Sequence, residues 1–223
     1  MKSIDSYGEI TPKVIHFKMK TQEAMIDAFM RMQERAESVN EEFRRRPFTV
    51  GEYRSWYNTH NAPVFDYPHT VIGVNFPDTV IRPFIDGDFD PLTQGEKEIV
   101  DCLRGRRGSY YLIGTFESAS SAMEHEICHG LYYTDAKYKA EVTKVLATLP
   151  AKIRKKAFSV LSQSYHADVL TDELHAYMAT GYADFFGDEV DFPLPIVAAM
   201  RRVKEKSFAR HKINMDKLSQ GKY

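Results

Sequence analysis

The sequence predicts an α+β fold: a small sheet in the first half and a mostly helical second half. Short apolar stretches with strand character fall at 14–19, 70–76 and 110–116, all before residue 117. From Ser118 onward, apolar residues recur at helical spacing almost to the end. The two kinds of element are segregated rather than alternating, which argues against a βαβ plan.

Val14 to Met19, VIHFKM, alternates apolar and polar residues as a short strand does. Thr21 caps a helix whose Ala24, Met25, Ala28, Phe29 and Met32 recur at helical spacing. That helix is expected to run to about Arg44, where Pro47 stops it. Residues 48–69 are aromatic-rich and predict a short helix around 49–58, then a loop with Pro63 and Pro68. TVIGVNF, 70–76, reads as a strand, and Val80 to Phe84 extends or follows it. DGDFDP, 86–91, is a turn. A calcium loop there would need glycine and glutamate where Pro91 and Lys97 stand. Thr93 caps the next helix, with Glu96 completing a capping box. YYLIGTF, 110–116, is the strongest strand. Helices are expected over 118–133, 135–165 with a break at Pro150, 171–186, and about 196–210.

The 223 residues suit one domain, 1–223, with a sheet-containing part to about 117, a helical part 118–210 and a polar tail 211–223 that frays. Thirty basic against thirty-one acidic side chains leave no basic surplus for nonspecific nucleic-acid binding. Two cysteines are too few for a disulfide framework. No apolar run reaches membrane-spanning length, and the N-terminus has no apolar signal region. A cytoplasmic protein is the expectation, and one exported without a signal would look the same.

His125-Glu126-Ile127-Cys128-His129 carries the chemistry. Residues i and i+4 share a helix face, so both imidazoles can reach one metal ion. Glu126 can act on a water at that ion as general base without ligating it. Met123, Ile127 and Leu131 lie on other faces and anchor the helix, and Cys128 reads as a small buried hydrophobe. Gly130 is expected to leave room near the metal. Ser118, Ser120 and Ser121 are cap candidates that set the motif mid-helix.

Two histidines leave a catalytic zinc one protein ligand short. Glu173, in TDELHAY, is the favoured third, on a helix capped by Thr171 or Asp172. Leu174, Met178 and Gly181 give that helix a packing face. His175 and His166 are the rival ligands, and Asp135 stands where a metzincin-like third histidine would be. His166, Tyr177 and His175 form the pool for an oxyanion donor. The basic run KIRKK, 152–156, is a solvated helix face.

HEICHGLYY followed by DELHAY resembles the gluzincin group of zincin metallopeptidases, over residues 110–177. The resemblance implies a zincin-like fold, with a mixed sheet whose edge strand precedes the HExxH helix. It implies Zn²⁺ on His125, His129 and Glu173, Glu126 as base, and a peptide or protein substrate. Many gluzincins carry an aspartate four residues after the ligand glutamate to hold a zinc-bound histidine; Tyr177 stands there. Its hydroxyl either takes that role or faces the substrate. The peptide is expected to pair along YYLIGTF. The expected function is thus zinc-dependent peptide hydrolysis. The alternatives are a non-catalytic metal-containing binding or regulatory module, or a metallohydrolase acting on a non-peptide amide.

Overall fold

The computed structural model describes residues 3–61, 63–116 and 120–223. Its sheet has four strands: β1 (Ile4–Thr11), β2 (Val14–Met19), β3 (Gly73–Pro77) and β4 (Tyr111–Phe116), in the order β1-β2-β4-β3. β1 and β2 are antiparallel, β2 and β4 parallel, and β3 and β4 antiparallel, so the sheet is mixed. β4 is therefore an interior strand. The strand before the HExxH helix is not the sheet edge, and YYLIGTF has no free edge for a peptide to join. On that side the edge is β3.

Alternation along the strands makes two cores, one on each face. Val14, Tyr111 and Ile113 face the helical second half. Ile15, Phe17, Leu112, Val74 and Phe76 face the helices of the first half. Those helices are α1 (Gln22–Glu37), α2 (Glu41–Arg45), α3 (Val50–His60), α4 (Tyr67–Thr70), α5 (Asp78–Ile85) and α6 (Gln94–Leu103). The second half holds α7 (Ser120–Thr134), α8 (Ala136–Ala147), α9 (Ala151–Leu161), α10 (Leu170–Thr180), α11 (Tyr182–Phe186), α12 (Leu194–His211) and α13 (Met215–Ser219). Among the described residues, no helix is long and apolar enough to cross a membrane.

Local signals explain most boundaries. Thr21 accepts a hydrogen bond from Ala24 N, and Met25, Ala28, Phe29 and Met32 are fully buried. Thr49 and Thr93 each close a capping box, with Glu52 and Glu96. Pro150 sits at the N-terminus of α9 and separates it from α8. The expected caps fall outside the description: Ser118 is not described, nor are the side chains of Ser120 and Ser121.

Four expectations are corrected. The first long helix stops at Glu37, where Ser38 turns extended, and Asn40 caps a separate α2. Ser and Asn bond their own backbone and compete with helix continuation. Val80 to Phe84 is helical, not a strand. Its five-residue apolar run fits either period, and Asp78, paired to Tyr110 through both N–H groups, starts a helix instead. β1 was not foreseen, because its mixed sequence IDSYGEIT leaves alternate residues exposed at a sheet edge. The tail does not fray: Leu218 is buried, and the Tyr223 hydroxyl lies 3.0 Å from His16 Nδ1. A β-carbon at Gly8 would strike the Tyr223 ring at 2.3 Å, so Gly8 makes that docking possible.

One buried ion pair ties the first-half helices together. Arg31 on α1 donates from Nε to Glu96 Oε1 at 2.7 Å and from Nη2 to Glu96 Oε2. Its remaining donors meet the carbonyls of Phe48, Phe89 and Pro91. Both side chains are essentially excluded from solvent. Removing one partner of such a pair strands a buried charge. Arg31→Met is expected to cost about 3–5 kcal/mol, read as a lower denaturant midpoint. Adding Glu96→Gln should recover part of the loss, and a double variant no better than the single would refute this account.

Candidate metal centre

α7 follows β4 and packs across the sheet with Ile127, Cys128 and Leu131 fully buried. A β-carbon at Gly130 would lie 3.0 Å from Val14 and 3.4 Å from Tyr111. Gly130 therefore makes room for the sheet, not for a metal. α10 packs on α7 through the buried Leu174 and Met178.

This packing brings His125, His129 and Glu173 together. The two Nε2 atoms are 3.0 Å apart. Glu173 Oε1 is 3.5 Å from His129 Nε2, and Oε2 is 3.6 Å from His125 Nε2. Ligand atoms about 2.0–2.2 Å from a tetrahedral zinc lie roughly 3.3–3.6 Å from one another. The two carboxylate–imidazole distances match that spacing, and the two imidazoles need to part by only a few tenths of an ångström to reach it. Glu173 is buried, and its Oε2 has no hydrogen-bond partner among the described residues. A buried carboxylate oxygen left bare is costly, and a cation between the three side chains would resolve it. Two imidazoles and a carboxylate also suit zinc chemically.

The other ring nitrogens are held as well. Asp172 Oδ1 lies 2.9 Å from His129 Nδ1. Thr180 Oγ1 donates to the Ala176 carbonyl, so its lone pair faces His125 Nδ1 at 3.4 Å. With Nδ1 engaged in this way, Nε2 of each histidine is the nitrogen turned toward the cluster, where it would ligate an ion. Burial opposes charge on His129, but Asp172 and Glu173 outweigh it and raise its pKa well above the usual imidazole range. Burial likewise opposes ionisation of Asp172, yet the imidazoles of His129 and His175 close beside it hold its pKa low. The site favours positive charge.

Glu126 sits beside the cluster and is buried. Its Oε2 accepts from Asn75 Nδ2 at 2.5 Å. Tyr111 donates its hydroxyl proton to Asn75 Oδ1, which fixes the amide with its NH₂ toward Glu126. Burial raises the Glu126 pKa, against the pull of His125 and His129. A β-carbon at Gly73 would lie 2.8 Å from Glu126 Oε1, so only glycine leaves the carboxylate its place. Glu126, His125, Tyr177, Tyr165, Thr180 and Gly73 line a cleft of about 740 Å³.

Tyr177 does not replace the family's histidine-holding aspartate. Its ring packs edge-on against His125 at 4.6 Å, and its hydroxyl pairs with that of Tyr165 at 2.8 Å in the cleft. Asp172 takes the holding role from the residue before the ligand glutamate. It is no cap: α10 starts from Val169 with no side-chain cap. His166 is corrected as an oxyanion donor, because its Nε2 is engaged by Glu41 at 2.6 Å and it does not line the cleft. His175 is fully buried behind Asp172, stacked on Tyr132 at 4.6 Å, outside the ligand cluster. The Cys128 thiol is pushed up to about 12 by burial and is chemically quiet. KIRKK is solvent-facing, apart from the half-buried Ile153.

Asn75, Asp172 and Thr180 are the site residues not anticipated above. Only Asn75 had a visible signal, as the polar position in an otherwise apolar strand. No known protein family, curated protein or solved structure matched the chain.

Zinc titration against a chromophoric chelator is expected to give one tight site per chain. His125→Ala or His129→Ala should abolish it, and Glu173→Ala should weaken it far more than His175→Ala. Asp172→Ala should cost about 10–100-fold in affinity. Metal loss in the His175 variant with retention in the Glu173 variant would overturn the ligand assignment.

Proposed function

We propose that this chain is a zinc-dependent peptide hydrolase of the gluzincin type, with a zincin-like arrangement of sheet and helices. One observation carries the proposal: a free carboxylate, Glu126, is held by Asn75 beside the His125–His129–Glu173 cluster, in an open cleft. A purely structural metal site closes with a fourth protein ligand and has no use for such a carboxylate. This weighs against a non-catalytic binding module.

His125, His129 and Glu173 would hold the ion. Zinc bound there supplies a Lewis acid that polarises the scissile carbonyl and brings a water's pKa toward neutrality. Glu126 takes the proton of the attacking water and passes it to the leaving amine. Asn75 keeps the Glu126 carboxylate oriented throughout. Tyr177, with its hydroxyl already aligned by Tyr165, is the donor placed to meet the developing oxyanion. Val71, Ile72 and Gly73 line the cleft at the start of β3, so this edge, not β4, is where an extended peptide would pair.

Glu126→Gln is expected to keep fold and metal but lose at least about 10²–10⁴-fold in turnover, measured on peptides first found by library profiling. Tyr177→Phe should lower kcat by about 10²-fold with little change in KM. Wild-type turnover in the Glu126 variant would remove it from the mechanism. A zinc-loaded protein that cleaves no library peptide would count against the peptidase assignment.

A further inference from the structure

A second cavity of about 580 Å³ lies between α1 and α3. It shares Val71 and Tyr165 with the catalytic cleft as a common wall. α1 contributes Glu34 and Glu37, three residues apart and so on one helix face. α3 contributes Tyr53, Trp56 and Tyr57, whose rings pack with centroids 5.7 Å and 6.1 Å from that of Tyr53. No lysine or arginine lines this cavity among the described residues.

Glu34 is nine-tenths buried, and hydroxyls of Tyr67, Ser38 and Tyr53 meet its carboxylate. These satisfy hydrogen bonding but bring no positive charge. Glu37 accepts from Gln33 Nε2 at 2.6 Å, again a neutral partner. A buried carboxylate is stabilised most by a cation. Aromatic faces attract a cation as well, and the apolar stem of a lysine or arginine packs against such rings. Burial opposes ionisation of both acids, so a cation entering the cavity would favour their charged forms as a neutral side chain would not, and an acidic one would be repelled.

We propose that this cavity receives a lysine or arginine side chain of the substrate, with Glu34 and Glu37 as its counter-charges and the α3 aromatics as its walls. This rests on the peptidase assignment of the neighbouring cleft, since the shared wall lets a peptide there turn one long side chain into the cavity.

Trp56 is the only tryptophan in the chain and lines both this cavity and a groove beside Phe43 and Arg46, so its fluorescence assigns binding here when the response's preference for charge is lost in the Glu34 or Glu37 variants. The full-length Glu126→Gln protein, which would leave peptides uncut, is titrated with acetyl-Ala-Lys-Ala amide. Matched peptides carry arginine, norleucine or citrulline in place of lysine. A saturable change is expected with lysine, arginine or both, and binding about tenfold weaker or worse with the neutral pair. Adding Glu37→Gln or Glu34→Gln should abolish the preference for charge. Circular dichroism checks folding, and if the Glu34 variant does not fold, the partly exposed Glu37 position decides. Equal binding of norleucine, no response to any peptide, or a charge preference that survives the substitutions would overturn the proposal. Charge-dependent binding by a wild-type protein that cleaves nothing would keep the pocket and sink the peptidase. Cleavage with no charge dependence in either assay would do the reverse.

Discussion

Glu126 and Glu173 are buried against the two histidines of α7, the half-buried Asp172 lies beside them, and Glu37 adds a fourth carboxylate whose ionisation all three oppose. Burying so much negative charge on one spot is unfavourable unless positive charge is supplied. Among the described residues, the groups inside this cluster that can carry positive charge are imidazoles. Their response is visible in His129, whose neighbours pull its pKa up against burial. A divalent cation between His125, His129 and Glu173 would supply the same charge without consuming their lone pairs on protons. The proposed metal is thus the counter-charge that the packing of α1, α7 and α10 calls for.

The sheet makes that packing possible through two glycines and one alternation. Gly130 lets α7 lie close on β2 and β4, and Gly73 lets β3 pass beside Glu126. In β3, Val74 and Phe76 point into the first-half core. Residue 75 must then face the other way, toward α7. The strand period thus places the Asn75 amide on Glu126, the proposed general base, and Tyr111 on the neighbouring strand sets its orientation.

The clustering of the candidate ligands was legible in the sequence where it follows a local period. His125 and His129 declare themselves by i, i+4 spacing, and Glu173 by its place in a later helix. The residues that orient them were not legible. Thr180 sits about two turns beyond Glu173 and reaches a histidine fifty-five residues earlier in sequence. Asp172 looks like a helix cap because acids are favoured at helix starts, and only the approach of α7 gives its carboxylate a different partner. The fold shows the same division. Capping boxes at Thr49 and Thr93 are local and were readable for Thr93. The docked tail depends on contacts more than two hundred residues apart, such as Tyr223 with His16, whereas β1 pairs with the adjacent β2 but carries no clear apolar alternation.

α1 joins the structural anchor to the site. Arg31 fixes the middle of the helix against Glu96 and three backbone carbonyls. Over the next turn and a half come Gln33, Glu34 and Glu37. Gln33 accepts from the Asn75 backbone N–H with its Oε1 and donates from Nε2 to Glu37. Its one amide therefore touches both the strand that orients the general base and an acid of the neighbouring cavity. A helix free to slide by even part of a turn would move these contacts together. The buried ion pair resists that slide, because Arg31 cannot shift along the axis without giving up several charge-assisted hydrogen bonds at once. The same rigid element thus sets the position of the proposed catalytic carboxylate's support and that of the acidic pair beside the cleft, and it would couple the proposed side-chain recognition to the geometry of Glu126 through a single helix.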